Sequence, residues 1–266
     1  MILGIDHVVL AVEDPDAMAA ALETSLGLTA GDGGRHDALG TFNRLIWLGD
    51  AYLELLGVFD AEIAASSWLG RPALAAIEDG GGLATWAIAV DDLDEALRWA
   101  PPGRGLGGPI DGERRRPDGR TVRWRLARPE VPTPTDPFLI EHDRSGAEWT
   151  DAERAARAEE AHPVGGRVRL AGVEVEAPSP AAAAGRLRSI LAAAAEPAGR
   201  GAVRVRLGPH EARFVVPAQR TGALVDLVMD RPIRTRTTRV GSCHVRLRGT
   251  PREVGAGEHP EASADV

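Results

Sequence analysis

Apolar residues dominate the first twelve positions, and the pattern then changes period. Ile2 to Val12 is rich in Val, Ile and Leu and reads as a strand. Asp14 suits a helix N-cap, Pro15 the first helical position and Gly27 a C-terminal stop, so "DPDAMAAALETSLG" predicts a helix. Three extended segments follow: one around Thr29 to His36, "TFNRLIWLG" from Thr41 and "AYLELLGV" from Ala51. Gly49-Asp50 predicts a tight hairpin between the last two. The order is strand, helix, strand, strand, strand.

That order recurs. "AVEDPDAM" from Ala11 and "AVDDLDEA" from Ala89 align without a gap, an offset of 89 − 11 = 78 residues. Extended segments follow near Ile110, at "RTVRWRLA" from Arg120 and at "PFLIEHD" from Pro137. A fainter third copy begins at Arg167, with a Ser179-Pro180 cap, an Ala-rich helix and then "AVRVRLG", "EARFVVP" and "GALVDLVMD". So long a period, repeated so few times, points to module duplication rather than a solenoid. We divide the chain into a first module (1–60), a linker (61–82), a second module (83–145), a linker helix (146–163), a third, degenerate module (164–230) and a tail (231–266). The tail is polar and rich in Arg, Gly and Pro, and is expected to be poorly ordered.

Composition narrows the classes. The chain has 266 residues, 44% hydrophobic and 26% charged, which suits a soluble globular protein. The net charge of −8 argues against nucleic acid or an anionic membrane as partner. Cys243 is the one cysteine, so no internal disulfide forms, and its place in the tail gives it no catalytic assignment. No run approaches the roughly 20 apolar residues of a membrane span, and no signal peptide is evident, so a cytoplasmic location is expected. The glycine clusters at Gly80 and Gly103 lack the lysine of a phosphate-binding loop, and no GxSxG motif is present.

"GIDHVVLAVEDPDA" at the start, "GGRHDALGTFNRLIWLGDAYLELLGV" from Gly33 and "PFLIEHD" from Pro137 resemble the vicinal oxygen chelate superfamily, and within it the glyoxalase-like domain proteins. The resemblance covers about residues 1 to 145. It implies an α+β fold of tandem βαβββ modules forming a cupped mixed sheet, with the third module packed alongside. It also implies one divalent metal ion (Zn, Ni, Mn or Fe) held by the first and last strands of each module. His7 and Glu54 match the first module's positions. In the second, Thr85 stands where a histidine belongs. At the last position Ile140 lies opposite Glu54, and a one-residue bulge would bring in Glu141 instead, with His142 adjacent.

The residues themselves leave two readings open. By alternation His7 shares a face with Val9 and Ala11, and Glu54 with Tyr52 and Leu56. A carboxylate in so apolar a strand needs a partner, so His7 and Glu54 either bind each other or line a ligand pocket. The expected metal set is His7, Glu54 and Glu141, with Glu54 and Glu141 as the catalytic carboxylates. His36, Asn43, Arg44 and Trp86 are the expected ligand-binding residues, although alternation lets only one of Asn43 and Arg44 face the cup. Trp124 is a further candidate wall. The function implied is a glyoxalase-like lyase or isomerase acting on a small molecule, in a chain that forms a homodimer. The alternatives are a metal-free binding or drug-sequestering protein, an extradiol-type dioxygenase, and a domain kept for oligomer contacts. The modules differ at the opening histidine: counting along the copies, Thr85 and Gly172 take the place of His7. The strand therefore does not need histidine there to fold.

Overall fold

A computed structural model describes residues 1–99, 105–116, 118–191, 194–199, 201–217 and 222–250. The first module is β1 (Ile2–Ala11), α1 (Pro15–Leu26), β2 (Arg35–His36), β3 (Thr41–Leu48) and β4 (Ala51–Val58). The Asp14 carboxylate caps α1 by accepting from the backbone N–H groups of Asp16 and Ala17, and Gly27 ends the helix at φ 69°. Such a cap contributes about 1 kcal/mol. Two short helices follow, α2 (Ala61–Ser66) and α3 (Gly70–Glu78), in the segment read as a linker. Next come β5 (Gly82–Val90), α4 (Leu93–Trp99), β6 (Ile110–Arg115), β7 (Thr121–Ala127) and β8 (Phe138–His142). These strands form one eight-stranded sheet in the order β2-β3-β4-β1-β5-β8-β7-β6. The two modules meet at the antiparallel β1–β5 pair, and each closes with a parallel pair, β1–β4 and β5–β8.

Helix α5 (Asp151–Glu159) leads to the second half. It comprises β9 (Val168–Glu176), α6 (Pro180–Leu191), β10 (Ala195–Pro197), β11 (Ala202–Leu207), β12 (His210–Val215), β13 (Leu224–Met229), β14 (Arg236–Val240) and β15 (Cys243–Gly249). The order of its sheet is β10-β11-β12-β9-β13-β15-β14. The plan of the first sheet is thus repeated, with β9 in the place of β1 and β13 in the place of β5. Here no helix intervenes between β13 and β14.

The expected poorly ordered tail is corrected for residues 231–250, which contain two strands of this sheet. Val240, Cys243, Val245 and Leu247 are fully buried, while the intervening arginines take the opposite face. Averaged over a window, the arginines hide this period-two alternation. Residues 251–266 lie outside the described residues. One core joins the halves: Val8, Leu10 and Trp86 of the first sheet cluster with Leu22 and Leu187 of the helices and with Val173, Val225 and Leu247 of the second sheet. Among the described residues, no helix is long and apolar enough to cross a membrane.

Candidate functional site

The opposite face of the first sheet forms a cup around a cavity of about 90 Å³. Its walls are largely aromatic, with Trp47, Tyr52, Trp68, Trp124, Phe138 and Trp149 among the lining residues. The polar groups at its floor come from β1, β3 and β4. Strand alternation points Asn43 inward and Arg44 outward, and Tyr52 and Glu54 inward on the neighbouring strand.

Glu54 is 5% exposed and held on two sides. Asn43 donates from Nδ2 to Glu54 Oε1 at 2.6 Å. Asn43 Oδ1 accepts from the Gly34 backbone N–H at 2.7 Å, which fixes the orientation of its amide. His7 Nε2 lies 3.6 Å from Glu54 Oε2. The imidazole of His7 stacks on Tyr52, ring centroids 4.6 Å apart, and meets the edge of Phe138 at 5.5 Å.

Asp6 fixes that imidazole. The β1–β5 register breaks between Ile5 and His7, so Asp6 is the extra residue of a β-bulge. Its carboxylate accepts from His7 Nδ1 at 2.6 Å and from His142 Nε2 at 2.9 Å. Burial alone raises the pKa of Asp6. The charges and hydrogen bonds of His142 and His7 outweigh it and hold the carboxyl well below the usual carboxylate range. An ionised carboxylate only accepts, so both histidines donate to it. His7 Nε2 is thereby aimed at Glu54. His142 Nδ1 is buried without a partner among the described residues, and the His142 ring stacks on Trp149 at 3.6 Å.

The segment after β8 closes the cup as a strap. Glu148, in the left-handed region at φ 71°, accepts from Arg114 Nη2 on both carboxylate oxygens at 2.8 Å and from Arg116 Nη1 at 2.7 Å. Arg157 donates to the Glu148 carbonyl and lies over the rings of Trp47 and Trp149. His36 also lines the cup; it meets Thr41 Oγ1 at 3.1 Å, and burial, opposed by the charge of Glu54, pushes its pKa down. Burial first, then the charges of Asp6 and Glu54, raises the Tyr52 hydroxyl far above its ordinary value and keeps it protonated.

Of the residues singled out in the sequence, the cup brings together His7, Glu54, Asn43, His36, Trp124, Ile140 and His142. It does not include three others. Arg44 points outward and pairs with Asp16 and Asp32. Trp86 is fully buried on the other sheet face, in the main core, and donates from Nε1 to the Pro134 carbonyl at 2.7 Å. Glu141 accepts from the Leu93 backbone N–H and from Arg125 Nη1, each at 3.3 Å, while its neighbour Ile140 faces the cup. No bulge in β8 turns Glu141 inward: its pairing with β7 runs without a register break. Asp6, Tyr52, Glu148 and Trp149 were not singled out as site residues. Two successive polar residues, Asp6-His7, inside an apolar strand were the available signal for the bulge.

The side chains present do not fit the expected divalent ion. Glu141 is engaged outside the cup, and the second module offers Thr85 and Ile140 in place of ligands. Among the described residues, no group of three or more His, Cys, Asp or Glu side chains is placed to hold a metal.

Among curated proteins, none matches the chain. A hypothetical protein from Staphylococcus aureus superposes with a TM-score of 0.75 at 15% identity, over 94% of this chain and 100% of that one. A xylose isomerase-like TIM barrel/4-hydroxyphenylpyruvate dioxygenase fusion protein gives 0.56 at 14% identity, over 98% of this chain and 51% of its own. A Streptomyces coelicolor methylmalonyl-CoA epimerase gives 0.39 at 20% identity, over 53% and 98%. The profile of the glyoxalase-like domain matches residues 5–191. With that match over most of its length, the chain belongs to the glyoxalase-like domain family of the vicinal oxygen chelate superfamily.

Proposed function

We propose that the first cup is the active site of an enzyme that moves a proton on a small, flat, largely apolar carbonyl compound, in an isomerase- or lyase-type step. The observation that carries this reading is the buried pair of Glu54 Oε2 and His7 Nε2, 3.6 Å apart and each held by a second residue. One proton shared by the pair always leaves one acid and one base aimed at the same point. In the ion-pair form, Glu54 takes the proton from the carbon beside the carbonyl. The imidazolium of His7 gives its Nε2 proton to the carbonyl oxygen, and the enol forms. Delivery of that proton by Glu54 to a second carbon conjugated with the enol, rather than back to the first, and return of the enol proton to His7 complete an isomerisation. Each such proton transfer contributes about 10²–10⁴ in rate. The aromatic walls exclude water and favour a flat substrate.

A cavity of about 90 Å³ holds only a few atoms, so the strap around Trp149 must swing out for entry. A second reading is metal-free sequestration of an aromatic compound. It is favoured by Thr85 and Ile140, which take the place of second-module ligands, and by the aromatic walls. A panel of small aryl ketones and 2-oxo acids incubated with the protein in D2O separates the two. Enzyme-dependent deuteration beside a carbonyl, followed by NMR, is the expected result. Saturable binding with no deuteration of any bound compound would overturn catalysis in favour of sequestration.

A further inference from the structure

The second sheet has a cup face of its own, and its chemistry is inverted. The break in the β9–β13 register, which makes Ala171 the extra residue, matches the break at Asp6 in β1. It sets Gly172 in the place of His7. Across the parallel pairs, Arg213 stands opposite Glu174 as Glu54 stands opposite Val9. Arg246 and Arg248 then take the places of Phe138 and Ile140. Arginine thus replaces the carboxylate and two apolar walls of the first cup. From this we infer that the second cup binds a small molecule carrying two or more negative charges, a phosphate ester or a polycarboxylate.

The face lines a cleft of about 950 Å³ that reaches across to Asp6, Arg144 and His142 of the first half. The cleft is lined by eight arginines against six carboxylates, in a chain of net charge −8. Its positive charge is concentrated: Arg246 Nε and Arg248 Nε share the single carboxylate of Asp226, at 2.8 and 3.0 Å. Arg169 and Arg248 flank Val228 across three neighbouring strands, and Arg169 has no ion-pair partner among the described residues. Strand spacing puts Arg246 and Arg248 about 6.8 Å apart along β15 and Arg169 about 10 Å across from Arg248, a span that suits two anionic groups rather than one. Gly172 keeps the centre of the face bare; a Cβ there would meet the Glu211 carbonyl at 2.1 Å. Guanidinium forks match phosphate and carboxylate geometry. The ion pairs already present hold them partly ordered before a ligand arrives.

Titration of the full chain with pyrophosphate and, separately, citrate by calorimetry tests this. One saturable site for either anion is expected, and which anion binds tells the phosphate class from the polycarboxylate class. The double variant Arg246→Gln/Arg248→Gln is expected to weaken it about tenfold or more, whereas His7→Ala leaves it unchanged. Should the double variant fail to fold, Arg169→Gln, at an exposed and unpaired position, is expected to weaken it about threefold. No saturable binding, binding untouched by the arginine substitutions (an adventitious ion only), or loss in His7→Ala instead would each overturn the inference. Because the first-cup variant is a control, failure here is distinguishable from failure of the proposed proton transfer.

Discussion

Replacing Asp6 by Asn keeps the shape of the bulge and removes one buried charge. The wild-type carboxylate receives two charge-assisted hydrogen bonds, at 2.6 and 2.9 Å, with its side chain fully buried. Charge-assisted bonds contribute about 1.5–3 kcal/mol each and neutral ones about 0.5–1.5. The exchange therefore costs about 2–3 kcal/mol at pH 7, and because the two rings bond different carboxylate oxygens, Asn sets an NH2 donor against one of them. For a chain of this size that lowers Tm by about 4–10 °C. The pH dependence has a definite sign. The Asp6 pKa is depressed in the folded state, so its stabilisation is present above the unfolded value of about 4 and is lost as pH falls through the folded one. Urea unfolding of both proteins at pH 7 and pH 3 measures this. A difference that narrows at pH 3 is expected. A loss below about 0.5 kcal/mol at pH 7, or one that grows on acidification below pH 4, would refute the assignment of Asp6 as an ionised bridge.

Three other outcomes follow from the same geometry. His210 Nδ1 accepts from the Ile5 backbone N–H at 2.8 Å, and burial pushes its pKa down to about 4; stability should fall by on the order of 3 kcal/mol between pH 6.5 and 4, a loss that calorimetry should find missing in His210→Gln. Burial pushes the Cys243 thiol up to about 12, so a thiol reagent should label it only at the rate of unfolding. Glu148→Gln leaves Arg114 and Arg116 short of their buried partner, which should cost about 3 kcal/mol and raise amide hydrogen exchange across residues 143–150, where an unchanged exchange pattern would refute the strap.

Much of the fold was legible because each module announces itself locally. Asp14 and Gly27 bracket a helix, and the gapless copy at Ala89 implies a second module. Alternation also allowed only one of Asn43 and Arg44 to face the cup, without telling which; β3 and β4 pair without a register break, and Asn43 is the one that lines it. Reading failed where the period breaks. The bulge at Asp6 turns a residue that strict alternation places opposite His7 into its hydrogen-bond partner. Trp86 sits beside Thr85, but one step along a strand reverses the face, which puts the ring in the core. The arginines of β15 concealed a buried strand, and those same arginines line the second cup. The pairing of His142 with Asp6 spans 136 residues and left no local trace.

In the proposed reaction Glu54 transfers a proton rather than merely helping to bind. The most direct test takes a compound that wild type deuterates in D2O and measures both dissociation constant and exchange rate for Glu54→Gln. The substitution preserves shape and hydrogen-bonding capacity and removes the base. With Glu54 as the base, binding stays within about threefold of wild type and exchange falls by about 10² or more. Exchange undiminished in Glu54→Gln, with binding intact, would contradict it.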